Sequence, residues 1–359
     1  MEIPRENLIQ TGRRGFLRAL ASACFLSNPA DRAMDTDSSE QGCRECRQGV
    51  LLKMELVMGP FPKKNKPRLD ISNIASTDLP TCTRTKITYV SDTGDQVPAY
   101  ILKPKKLEGK ASGVLCLHQT TVLGADEPAG LSGDPNLHYA LELAERGYVT
   151  LAPCYPDLPF GQGFGGYRFD AYRHGYVSNT MKGIWNHTRA VDLLQSMPEV
   201  SPEHIGCIGH SLGGHNTLFV GAFDPRIQVM VTSCGFTSFH KYRGGDLSPW
   251  AQQRYMPLVA LKYHDNPDEM PFDFSDVLTA LAPRPLFINA PSHDDNFDAS
   301  GVDDTLRVVR ATCSSAYGKG ERLVVRHPDA AHAFPPEVRQ EAYAFLDKWL
   351  KPTGNANNS

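Results

Sequence analysis

The sequence predicts a doubly wound α/β domain: a mostly parallel sheet with helices on both faces and an antiparallel hairpin at its N-terminal side. Three observations point there. From Gly113 onward, short apolar runs alternate with stretches of helical period, the pattern of βαβ units whose strands are covered on both faces. An alternating segment around a Thr-Gly-Asp turn comes just before them. One apolar run also ends in a glycine-flanked corner, "IGCIGHSLGGHN" (205–216), from which a helix starts at once.

Taken in order, residues 1–40 read as an export signal followed by a polar linker, "DTDSSEQG". Arg13-Arg14 precede a modest apolar segment, Phe16 to Leu26, that ends in small residues. That is the layout of a twin-arginine signal, although Arg18 interrupts it. A cytoplasmic chain with an amphipathic tail is the alternative. Ala21-Ser22-Ala23-Cys24 resembles a lipidation site but lacks the preferred leucine. Val50 to Met58 suits a short helix, and Pro60 to Pro80 reads as loop. Lys86 to Pro104 forms the hairpin.

The alternation then runs strand "GVLCLHQ", helix "NLHYALELAERGY", strand "YVTLAPCYP", helix "NTMKGIWNHTRAVDLLQSM", strand "HIGCIGHS", helix "LGGHNTLFVGAF". Strands "IQVMVTSCG", "PLFINAP" and "RLVVRHP" and a last helix, "PEVRQEAYAFLDKWL", complete one domain spanning about 45–353. Between residues 235 and 274 a long aromatic, proline-punctuated insertion breaks the pattern. At a strand's carboxyl end it would lie over the active crevice.

Bulk composition excludes several classes. The 359 residues are 41% hydrophobic and 21% charged with a net charge of -3, which gives no electrostatic case for nucleic acid or an anionic membrane. No apolar run reaches the roughly 18 residues of a membrane helix, and no repeat is present. Of the nine cysteines, Cys116, Cys207 and Cys234 lie in apolar runs and read as buried thiols. Cys43 and Cys46 form a single C-x-x-C, open to a local disulfide but without the second pair a zinc site needs. With no H-x-H or H-E-x-x-H pattern, no metal or cofactor is expected.

Gly209-His210-Ser211-Leu212-Gly213 fits G-x-S-x-G between a strand and a helix. The turn cramps the serine backbone, glycines on both sides remove clashing Cβ atoms, and Oγ is lifted to the helix N-terminus. A serine at its own pKa is nearly inert, so it needs a base oriented by an acid. In chain order an elbow of this kind is followed by the acid and then the histidine. "SHDDNFD" offers Asp294, Asp295 and Asp298; Asp294 is preferred, with Asp295 the rival because adjacent side chains point opposite ways. "DAAHAFP" offers His332 as base, against His327, which ends a strand before Pro328. The oxyanion donors are expected at the Leu212 and Thr120 amides, with Gln119 also lining the hole and His118 a structural neighbour. His210 and His215 read as packed neighbours of the elbow. "FGQGFGGY" (160–167) is a loop over the site or a plain turn.

"GHSLGGHN", "PRPLFINAPSHDDNF" and "PDAAHAFPPEVRQEAYAFLDKWL" resemble the α/β-hydrolase superfamily, and within it the dienelactone-hydrolase-like and acetyl-xylan-esterase-like serine hydrolases. The resemblance spans roughly residues 86–350. It implies a Ser211–Asp294–His332 triad and an acyl-enzyme mechanism on small carboxylic esters, an acylated carbohydrate among them. Two features depart from the family. Dienelactone hydrolases proper use a cysteine nucleophile, and His-Gln stands here where the oxyanion loop usually opens with His-Gly. The rivals are a prolyl-oligopeptidase-type peptidase, whose N-terminal propeller about 80 residues cannot build, and a non-catalytic protein of the same fold.

Overall fold

The computed structural model describes residues 36–63, 65–156, 166–313, 317 and 321–351, with backbone alone for 36–45. The Arg13-Arg14 segment, Cys24, the Cys43 side chain and residues 160–165 of the glycine-rich stretch lie outside the described part. The described residues from Cys43 onward pack as one compact unit. Among the described residues no helix is long and apolar enough to cross a membrane.

Helix α1 (Thr36–Met58) leads into an antiparallel meander of β1 (Ser72–Asp78), β2 (Cys82–Asp92) and β3 (Asp95–Pro104). Alternating units follow: β4 (Ala111–Leu117), α2 (Tyr139–Glu145), β5 (Val149–Pro153), α3 (Asn179–Ser196), β6 (Val200–His210), α4 (Leu212–Phe223) and β7 (Ile227–Ser233). Helices α5 (Leu258–Tyr263) and α6 (Phe274–Leu281) precede β8 (Leu286–Asn289). Helix α7 (Ala299–Thr312) precedes β9 (Leu323–Arg326), and α8 (Pro336–Leu350) comes last. The described strands form one sheet ordered β1-β2-β3-β5-β4-β6-β7-β8-β9. From β5 to β9 every neighbouring pair is parallel. Strands β4 and β5 are buried along their whole length, which is why they read as unbroken apolar runs.

Strand order sets the place of the site. From β4 the chain passes first to β5 on one side, then to β6 on the other, and such a switch opens a crevice at the strands' carboxyl ends. Register lines those ends up: Leu117 pairs with Gly209, His210 with Ser233, and Ser233 with Asn289.

Three expectations need correction. Helix α1 begins at Thr36, inside the stretch read as linker, and is longer than the Val50–Met58 segment. Its buried Val50, Met54, Val57 and Met58 form the packing stripe, and Arg47 donates to the last carbonyls of α4, Ala222 O and Phe223 O, where a cation suits a helix end. The segment 60–80 is not all loop, because Ser72–Asp78 forms an edge strand on β2. All seven of its residues are exposed, so it carries no apolar alternation to read. Helices α5, α6 and α7 also stand in segments where no helix is expected.

A buried ion pair ties the hairpin to α3. Lys182 Nζ donates to Asp95 and to Ser91 Oγ, both side chains of the Lys182–Asp95 pair being all but fully buried. Tyr167 donates to the other Asp95 oxygen and Tyr176 to Asp92. Removing one partner strands a charge in the core. Lys182→Met is therefore expected to cost about 3–5 kcal/mol in denaturant unfolding, and adding Asp95→Leu should recover much of that loss. Additive losses in the double variant would contradict the pairing.

Candidate active site

Backbone crowding explains the corner at Ser211. A Cβ on Gly213 would lie 1.9 Å from Leu117 O, and one on Gly209 would lie 2.2 Å from Gly213 O. Glycine at these positions lets α4 settle directly on β4 and β6. The cost falls on Ser211, whose φ of 54° lies in the left-handed region that L side chains avoid. Two hydrogen bonds hold it there: Ser211 N donates to Ser233 O at 2.8 Å, and His215 N donates to Ser211 O at 3.1 Å. The side chain is half-buried at the head of α4, and among the described residues nothing hydrogen-bonds its Oγ.

Asp294 and His332 meet from two loops. His332 Nδ1 lies 2.9 and 3.0 Å from the two Asp294 carboxylate oxygens. Asp294 Oδ1 also accepts from the Asn296 and Phe297 amides at 2.9 and 3.0 Å. Burial alone pushes this carboxyl's pKa up. The His332 hydrogen bond and charge, with the two amides, outweigh that and hold it below the ordinary carboxylate range. The His332 ring lies 4.9 Å from that of His210, centre to centre, so it stands beside the elbow.

The rivals face elsewhere. Asp295 is exposed, and Asp298 caps α7 through Ser300 N. His327 bonds Ala290 O through Nδ1 and Asp303 through Nε2. His118 is fully buried between Gln119 O and Tyr155 N, and burial pushes its pKa down to about 4. The Gln119 side chain donates to Glu127 at 3.0 Å. Burial, with His332 a smaller cause, lowers His210 to about 3, and burial lowers His215 to about 3 as well.

The Leu212 amide is the first of α4, where a helix leaves its N–H groups without intrahelical partners. Thr120 lies in the exposed turn after β4, and its hydroxyl pairs with Tyr255 at 3.0 Å. Leu212 and Tyr255 line one cleft, and Thr120 bonds to Tyr255 at its edge.

Several neighbours escaped the sequence reading. Phe297 stacks against His332 at 5.9 Å. Tyr242 and Trp250, from the 235–274 insertion, pack on Phe297 at 5.5 and 6.2 Å, and Trp250 also meets His215. The insertion therefore supplies an aromatic wall beside the imidazole. Asn289 donates to Ser233 Oγ and Ala333 O, fixing the turn next to His332. Only aromatic richness hinted at the wall; nothing in the spacing marked Asn289.

The chain is similar to several hydrolases and esterases. Residues 162–313 match the family model described as fungal glucuronyl esterase. A Bacillus subtilis (strain 168) protein named as a hydrolase, YtaP, is 29% identical over 274 residues, covering 71% of this chain and 84% of the relative. The 4-O-methyl-glucuronoyl methylesterase 1 of Wolfiporia cocos is 25% identical over 202 residues, 51% of this chain and 49% of the relative. Among solved structures, a glucuronoyl esterase from Solibacter usitatus superposes with a TM-score of 0.66 at 16% identity, covering 84% of this chain and 91% of that one. Acetyl xylan esterase 1 from Thermoanaerobacterium sp. gives 0.56 at 16%, covering 87% and 94%.

The chain has the α/β-hydrolase fold. Within this α/β-hydrolase the carboxylate that meets His332 is Asp294, the residue preferred on sequence. The Hδ1 proton shared with it should give a downfield NMR resonance in the parent and in Asp295→Asn. That resonance should vanish in Asp294→Asn; its survival there would contradict the pairing.

Proposed function

We propose that this α/β-hydrolase is a serine esterase that cleaves carboxylic esters through an acyl-enzyme, with carbohydrate esters as its substrate class. The observation that carries the reading is the hydrogen-bonded Asp294–His332 pair beside a serine held at φ 54°. His332 Nε2 takes the proton as Ser211 Oγ attacks the ester carbonyl, while Asp294 keeps the imidazole in the required tautomer and stabilises the imidazolium. The Leu212 and Thr120 amides receive the tetrahedral oxyanion. The imidazolium then protonates the leaving alcohol, and water releases the acid by the same steps. The Ser211–His332 hydrogen bond, open in the free protein, closes when substrate fills the crevice.

The carbohydrate reading draws on the relatives named for glucuronoyl and xylan esters and on the wall of Tyr242, Trp250 and Phe297. Flat aromatic faces suit the C–H faces of a sugar ring while a polar rim remains wet.

Ser211→Ala should abolish both fluorophosphonate labelling and hydrolysis of methyl glucuronate and acetylated xylo-oligosaccharide esters, with folding intact. Full labelling of the Ala variant, or turnover of peptides in place of esters, would sink the assignment. Asp294→Asn should lower kcat by about 10⁴, because the imidazole then favours the wrong tautomer. Asp295→Asn, on an exposed side chain, should stay within about tenfold.

Export through Arg13-Arg14 is part of the same proposal, since an enzyme for polymeric carbohydrate must meet its substrate outside the cell. Replacing both arginines with lysine should leave the chain in the cytoplasm. Parent-level export of that variant would overturn the twin-arginine assignment.

A further inference from the structure

Cys234 touches the proposed machinery yet has no part in the reaction. It follows β7 directly and sits at φ 46°, a second non-glycine residue in the left-handed region beside the site. Its amide is fixed to Asn289 O at 2.8 Å. This backbone brings Sγ against the carboxylate–imidazole pair: one ligand atom each from Cys234, Asp294 and His332 all lie within 4.8 Å of one another. The three residues come from three separate loops, so no sequence spacing announces them.

We propose that Cys234, Asp294 and His332 form an inhibitory site for a soft divalent cation, Zn²⁺ or Cd²⁺. Thiolate, imidazole and carboxylate are the donors such ions take, with a fourth position left to water. Tetrahedral zinc would set these donors about 3.4–3.6 Å apart, so side-chain adjustments of about 1 Å complete the site. Asp294 Oδ1 stays anchored by the Asn296 and Phe297 amides, which leaves Oδ2 to bind. Access is from the His332 side, the imidazole being 24% exposed above a buried carboxylate.

The inhibition follows from proton bookkeeping. Capture releases the Cys234 thiol proton to solvent, with no change of oxidation state. The cation takes the Nδ1 lone pair, so a neutral imidazole must carry its one proton on Nε2. The nitrogen that should accept the serine proton has become a donor, and the base is lost. Burial and the Asp294 charge push the free thiol's pKa well up, so the metal-free site holds its proton and leaves the pair undisturbed.

Inhibition rests on His332 being the base, whereas binding does not, and the test separates the two. The full-length chain carrying Cys24→Ser, Cys43→Ser, Cys46→Ser and Cys313→Ser is titrated with Cd²⁺. One equivalent should raise the ultraviolet Cd–thiolate charge-transfer band, and ester hydrolysis should fall at least tenfold and return with EDTA. Adding Cys234→Ala, or Cys234→Gly to relieve the backbone, should remove the band and leave each variant within twofold of its own metal-free rate. No band in the parent, or a band that survives both variants, overturns the site. A Cys234-dependent band without inhibition overturns the tautomer mechanism and counts against His332 as base. A Cys234-dependent band in a chain that hydrolyses no ester supports the site and sinks the functional reading alone.

Discussion

The closeness of α4 to the strands beneath it governs the rest of the site. A helix whose first turn carries Gly213 and Gly214 can descend until its backbone touches that of Leu117 and Gly235. A Cβ at Gly213 would meet Leu117 O at 1.9 Å and force α4 off the strands, and three consequences would be undone together. Ser211 would no longer be forced into its left-handed conformation. The leading amide of α4 would leave the crevice mouth, and the turn after β4 would lose the neighbour it faces. Tyr139 supports the same junction from behind by donating to Leu117 O. One backbone contact thus sets the nucleophile and both proposed oxyanion donors at once, and this is why the strain at Ser211 is tolerated.

The second support is lateral. At the carboxyl ends of β6, β7 and β8 a buried row runs from His210 Nδ1 to Ser233 Oγ at 2.9 Å and on to Asn289 Nδ2 at 2.8 Å. Asn289 then reaches Ala333 O, and the Cys234 thiol reaches the same carbonyl at 3.3 Å. The loop bearing His332 is therefore pinned to the sheet by two side chains from neighbouring strands. Asp294 is pinned independently, by amides of its own loop. Acid and base are each held by the scaffold before they hold one another, which is what preorganisation requires.

The legible parts of the sequence were those with a local physical cause. Buried parallel strands must be apolar throughout, and the elbow must carry small residues, so β4, β6 and Ser211 were visible. Asp294 was separable from Asp295 only by which neighbour faces inward, and the structure places Asp295 in solvent. Strand β1 was invisible because its seven residues are exposed and bury nothing. The Gln119–Glu127 bond was not legible, because Glu127 lies in the following loop and no periodicity links the two. Cys234 was correctly read as buried. Its neighbours Asp294 and His332 are distant in the chain, and only strand order and register bring the three together.

Electrostatics ties these supports to the chemistry. His118, His210 and His215 all lie under or beside the elbow, and burial pushes each well below the ordinary histidine range. Three neutral imidazoles leave Asp294 as the formal charge in hydrogen-bond contact with His332. That matters because the proposed reaction creates an imidazolium at His332. A charged His210, with its ring 4.9 Å away, would oppose it. The aromatic wall contributes in the same direction, since Phe297 and Trp250 displace water that would otherwise screen the Asp294–His332 attraction. Burial keeps these three histidines uncharged, so none of them sets a like charge against the proposed imidazolium.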